Sequence, residues 1–161
     1  MRKISAAALF LLFLLPCVVR AQTNGMTWKF IKANTTTGTI SVGCVNCNAY
    51  QGDTPCTTAL PILCIKKSGA GFPLPKPASV DNSDRYYLWS GGVVGTTKPT
   101  VPPAKRSDAN ALCVQEFGPD WRVAEHHDSG FGWHLQAYGG VGNPAASFWV
   151  DINDQPGTCW H

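Results

Sequence analysis

The sequence predicts a single small α+β domain, stapled by disulfides. Three observations predict it. The 161 residues are 44% hydrophobic and 11% aromatic, enough for one packed core. Six of the seven cysteines follow an N-terminal export signal. Short β-prone runs, separated by Gly and Pro clusters, flank one helical stretch. Charged residues make up only 14%, which excludes a coiled coil and a charge-rich disordered chain.

The export signal is Arg2 and Lys3, the apolar run from Ala6 to Leu15, and the small-x-small site Val19-Arg20-Ala21. Residues 1–21 are therefore expected to be a signal peptide, followed by a cysteine-rich part at 22–84 and a C-terminal part at 85–161. A membrane anchor is the alternative, but the run falls short of the ~20 residues a bilayer needs. Pro16 stands before Cys17 where a lipidation signal wants a small residue. The expected product is secreted or periplasmic, with no membrane span after cleavage. Its charge is then 13 minus 3 basic residues against 10 acidic ones, which is formally neutral. Nucleic acid is not an expected partner, because phosphate binding needs a Lys/Arg stripe.

Outside the cytosol the remaining cysteines, Cys44, Cys47, Cys56, Cys64, Cys113 and Cys159, are expected to form disulfides. Four lie within residues 44–64, a polar stretch without a core of its own, so they are expected to pair with one another. That leaves Cys113 for Cys159. The order among the first four stays open. A zinc knuckle around Cys44-Val45-Asn46-Cys47 is the rival reading.

In chain order, Trp28, Phe30, Ile40 and Val42 alternate with polar neighbours around a turn at Thr35 to Gly38. Pro73, Pro75 and Pro77 predict an extended surface connection. Arg85 to Thr97 is read as a hairpin with its turn at Gly91-Gly92. Ser107 is a good N-cap for a helix with Ala109, Leu112, Cys113 and Phe117 on one face, stopped by Gly118 and Pro119. A last strand is expected over Phe148 to Ile152, then a polar turn at Asn153 to Gly157.

Ala109, Cys113, Phe117, Gly118, Trp121, Arg122 and Val123, followed by Phe148, Trp149, Val150 and Cys159, resemble the C-type-lectin-like fold of bacterial secreted modules. The resemblance spans roughly residues 85–161. Ala124 stands where the pattern usually has Pro, and Gly130 and Gly132 interrupt the second helix. The resemblance implies long loops that present a ligand site, in some members a calcium-dependent sugar site. Ile152-Asn153-Asp154 echoes one half of that calcium motif. No Glu-Pro-Asn or Gln-Pro-Asp precedes it, and an Asx turn is the plainer reading of Asn153 and Asp154.

The densest polar cluster is Glu125-His126-His127-Asp128, with His134 close behind. If Arg122 to Asp128 is extended, His126 and Asp128 face one way and His127 the other. A single metal would then need His134 or His161 to complete its ligands. Without a metal, Asp128 could orient His126 or His127 as an acid/base, with Ser129 the nearest nucleophile. Aromatic residues also crowd the last 41 positions. Trp133 and Tyr138, beside Gly132 and Gly139-Gly140, are the expected exposed rings of a stacking platform, with His134 and Asn143 as polar partners.

The first expectation is therefore a secreted, non-enzymatic module that binds an extracellular or envelope ligand, glycan or protein, through its C-terminal loops. No cofactor is expected. The alternatives are a small metal-assisted hydrolase using His126, His127, Asp128 and His134 with zinc, and a structural surface protein; calcium is the metal the resemblance would bring to Asn153 and Asp154.

Overall fold

The computed structural model describes residues 23–73, 88–130 and 132–160. The expected signal peptide, most of the proline-rich connection after Pro73, Arg85 to Tyr87, Phe131 and His161 lie outside the described residues. Ten elements follow in order: β1 (Asn24–Gly25), β2 (Thr27–Asn34), β3 (Thr39–Gly43), β4 (Thr54–Pro55), β5 (Leu63–Lys67), β6 (Trp89–Thr96), α1 (Arg106–Phe117), β7 (Arg122–Val123), β8 (His134–Gly139) and β9 (Ser147–Trp149). Among the described residues the protein is mostly β-sheet with one helix and three disulfides, a small mixed α+β domain.

β1 and β4 form a two-stranded sheet, and the other strands one seven-stranded sheet in the order β7-β5-β6-β8-β3-β2-β9. All its neighbours run antiparallel except β6 and β8. Its two edges meet. Trp149 N–H donates to Pro61 O at 2.8 Å, Asp151 N–H to Ala124 O and His126 N–H to Asp151 O at 2.9 Å each. The sheet therefore curls into a closed, barrel-like structure with few free edge groups.

Period-two alternation sorts side chains between the two sides of this wall. Leu63, Ile65, Phe148 and Val150 point inward, joining Met26, Trp28, Val42, Val94, Leu135 and Ala137 in the larger core. Ile62, Cys64 and Trp149 point outward, where Ala109 and Cys113 of α1, Val123 and Trp160 cover them. Each large side chain buried this way contributes about 1.5 to 3 kcal/mol. The helix thus seals the seam where β5, β7 and β9 meet. The two halves of the sequence share this one sheet, since β2, β3 and β5 come from residues before 85 and β6 to β9 from residues after it.

Several expectations hold in outline. β2 and β3 form the hairpin around Thr35 to Gly38, with Trp28 and Val42 fully buried. A register shift between Phe30 and Lys32 leaves Ile31 facing solvent. The predicted helix face is present, with Ala109 and Cys113 buried, and Gly118 stops the helix at φ 97° while its N–H donates to Val114 O. The helix starts two residues earlier than expected, and Lys105 rather than Ser107 is the N-cap. Ser107 Oγ instead donates to Asp108 at 3.3 Å, while Arg106 in the first turn pairs with buried Asp151.

Two expectations are corrected. Gly91-Gly92 is not a hairpin turn: β6 runs straight through it, pairing with β5 on one side and β8 on the other. Gly91, at φ 68°, sits in a bulge where the register to β8 shifts between Trp89 and Val93. The disulfides also differ. Cys44 pairs with Cys47, but Cys56 pairs with Cys159 and Cys64 with Cys113. The cysteine-rich stretch does not staple itself, because Cys64 lies in a central wall strand and faces α1. The two long-range bonds tie strand to helix and Cys56 to the C-terminal segment. In the chain-entropy picture they restrict the unfolded chain by about 4 and 5 kcal/mol, against about 2 for Cys44–Cys47. No described helix is long and apolar enough to cross a membrane.

Candidate functional site

The loop between β7 and β8 is built around one carboxylate. Asp128, 6% exposed, accepts two hydrogen bonds from the Arg122 guanidinium at 2.9 and 2.5 Å and a third from Glu125 N–H at 2.7 Å. Lys67 Nζ reaches the Asp128 carbonyl at 2.6 Å and stands 3.8 Å from its carboxylate. A carboxylate this buried requires such partners. Hydrogen bonding to Asp128 raises the Arg122 pKa, so the guanidinium stays charged. Residues 125–128 form a turn, closed by Asp128 N–H on Glu125 O at 2.9 Å, rather than an extended run. The facing expected of an extended run therefore does not apply; Glu125, His126 and Asp128 are buried and His127 is half-exposed.

Glu125 is a second buried anchor. It accepts His127 N–H at 2.7 Å and Asn153 N–H at 3.3 Å, and its carboxylate lies 3.0 Å from His127 Nδ1. His127 Nε2 stands 3.7 Å from Asp154, so the imidazole bridges two carboxylates. His126 is walled in by the rings of Trp28, His127 and Trp133, with centroids at 6.1, 4.6 and 4.5 Å. Its Nε2 accepts Trp133 N–H at 3.4 Å, which needs a neutral ring. Burial first, and the charge of His127 next, hold its pKa below the usual histidine value.

Asp128 therefore does not orient a histidine: Arg122 occupies its carboxylate. Ser129 Oγ donates to the carbonyls of Gly132 and His134, at 3.2 and 2.6 Å, and is engaged within its own loop. His134 packs over Gly43, where any Cβ would overlap its ring. Among the described residues, no three His, Cys, Asp or Glu side chains form a group that could hold a metal ion. His126, His127, Asp128, His134 and Asp154 are thus not brought together as a ligand set, and Asn153 engages Glu125 through its backbone.

The expected platform is divided. Trp133 is 36% exposed at the start of β8, at φ 20°. Tyr138 lies five residues on, about 16 Å along the strand, edge-on to Trp89 at 5.2 Å. Asn143 Oδ1 accepts Ala145 N–H at 3.0 Å, and the residue lines a separate groove beside Leu60, Pro61, Pro99 and Ala146.

What the sequence did not single out is a polar cleft of about 250 Å³ between α1 and this loop. Arg106, Asn110, Arg122, Val123, Glu125 and Asn153 line it. Arg106 is held from behind by Asp151, 3% exposed, as Arg122 is by Asp128. Asn110 Oδ1 accepts Val123 N–H at 2.9 Å and joins helix to loop. Thr158 Oγ1 donates to Asp151 at 3.1 Å. A second hollow of about 380 Å³ also borders Arg106 and Asn153, lined further by Gln155, Thr158 and Trp160. The signal in the sequence was Asp151 itself, a charge inside the apolar run Phe148 to Ile152. The chain matches no family model, no curated protein and no solved structure.

Proposed function

We propose that the protein is a secreted, non-enzymatic binding module that takes a neutral, polyhydroxylated ligand of saccharide type in the cleft between α1 and the β7–β8 loop. One observation carries this reading: two half-exposed guanidiniums, Arg106 and Arg122, are fixed by buried carboxylates and share one cleft with the amides of Asn110 and Asn153. Donors held in place before binding lose little entropy when a ligand arrives. Arg106 and Arg122 stand against Glu125, Asp128 and Asp151, so the cleft has no positive excess to select an anion. Fixed donors beside carboxylate and amide acceptors suit hydroxyls, which both donate and accept.

Trp133, exposed at the far end of the same loop, adds an indole face on which a pyranose ring can stack. The likeness of residues 109–123 and 148–159 to C-type-lectin-like modules is undercut by the disulfides, since Cys113 pairs with Cys64 and not with Cys159, and the reading rests on the cleft instead. The three disulfides agree with an oxidising destination.

The test is a screen of the purified chain against neutral and acidic glycans and envelope saccharides. Binding to neutral glycans supports the reading, and no saccharide binding refutes it. Stoichiometric transition metal in protein purified without a His tag would instead favour a metal-assisted hydrolase.

A further inference from the structure

The three disulfides differ in placement. Cys64 and Cys113 are fully buried, and in the Cys56–Cys159 bond Cys159 is nearly so while Cys56 is partly exposed, whereas Cys44 and Cys47 are both partly exposed, with Val45 and Asn46 exposed between them. Their sequence separations are 49 and 103 for the long-range bonds and 3 for Cys44–Cys47. The short loop therefore restrains the unfolded chain least, and Cys44–Cys47 is the one of these three bonds in which both cysteines are partly exposed.

The backbone around it prepares one sulfur to leave. Asn46 takes a left-handed conformation, φ 64°, and the turn aims Cys47 N–H at Cys44 Sγ at 3.2 Å. A backbone donor on a sulfur stabilises the thiolate over the thiol and lowers its pKa. Cys44 N–H in turn donates to Trp133 O at 2.7 Å, which fixes the cysteine just after β3.

We infer that Cys44–Cys47 is an exchange-competent disulfide that accepts two electrons from an external dithiol. One thiolate of the dithiol attacks Cys47 Sγ. A bond forms between those two sulfurs while the Cys44–Cys47 bond breaks, and its electron pair leaves on Cys44 as a thiolate that keeps the Cys47 N–H. The second thiolate of the reductant then attacks its own sulfur in the mixed disulfide and releases Cys47 as a thiolate. The reductant leaves as a disulfide, oxidised by two electrons, and its two thiol protons balance those taken up by the protein's dithiol. This inference uses none of the cleft residues and stands apart from the binding reading.

The test is timed reduction of the native full chain by dithiothreitol, quenched with iodoacetamide and mapped by mass spectrometry. Cys44 and Cys47 should label at least about tenfold faster than the other four cysteines, with the circular dichroism unchanged. Labelling of all six together, or of Cys56 and Cys159 first, would overturn the inference. A second arm uses Cys47→Ser, which keeps the backbone N–H and frees Cys44. The pH midpoint for alkylation of Cys44 should fall below the ordinary thiol value of about 8.5. A midpoint at or above that value contradicts the leaving-group assignment.

Discussion

A carboxylate withdrawn from water must find donors, and Asp128 finds them in Arg122, Lys67 and the Glu125 amide. Asp128→Ala leaves those donors facing an empty space and unties the loop. Because Arg122 and Lys67 remain half-exposed and can rehydrate, the expected loss is about 2 to 4 kcal/mol, read from the urea midpoint. His126 carries a different dependence. Its folded pKa lies below the unfolded value of about 6.5, so the unfolded chain binds more protons between the two. Its contribution to stability is complete above the unfolded pKa and is lost as pH falls through the folded one. The melting temperature should therefore drop as the pH falls below about 6.5. His126→Phe should flatten that drop, and an equal slope in both proteins would show that His126 is not its source.

Strands and helix show what the sequence could and could not convey. The β2–β3 hairpin and the apolar face of α1 were legible because Trp28, Val42, Ala109 and Cys113 follow the period of their element. Gly91-Gly92 misled because a Gly pair serves a tight turn and a bulge alike, and only the neighbours β5 and β8 decide between them. Gly139 is a similar case, singled out in the sequence only as a neighbour of Tyr138 beside Gly140. It holds φ 96° in β8, and a Cβ there would stand 2.1 Å from the Val94 carbonyl oxygen. Gly139→Ala should lower stability by at least about 2 kcal/mol in thermal or urea unfolding, combining backbone strain with a clash across β6 and β8. A loss within about 0.5 kcal/mol would mean that the β6–β8 pairing is looser than this register requires.

At the scale of the whole molecule, closure of the sheet brings residues from distant parts of the sequence to one cleft. Arg106 opens α1, Asn110 lies one turn on, Arg122 ends the return from the helix, and Asn153 follows the last strand. No local pattern announces that meeting. The histidine cluster drew attention because it is dense, yet its members are spent on one another, on Glu125 and on the walls of the loop. The disulfides followed the same logic: cysteine spacing suggested a local staple, while the fold used Cys56 and Cys64 to reach the C-terminal segment and the helix. The most direct test of the account is a titration of the best-binding neutral glycan into the native chain, Asn153→Ala and Trp133→Ala. Both variants should bind about tenfold more weakly with the fold intact, a loss of about 1.4 kcal/mol each. Unchanged affinity in both variants would contradict it.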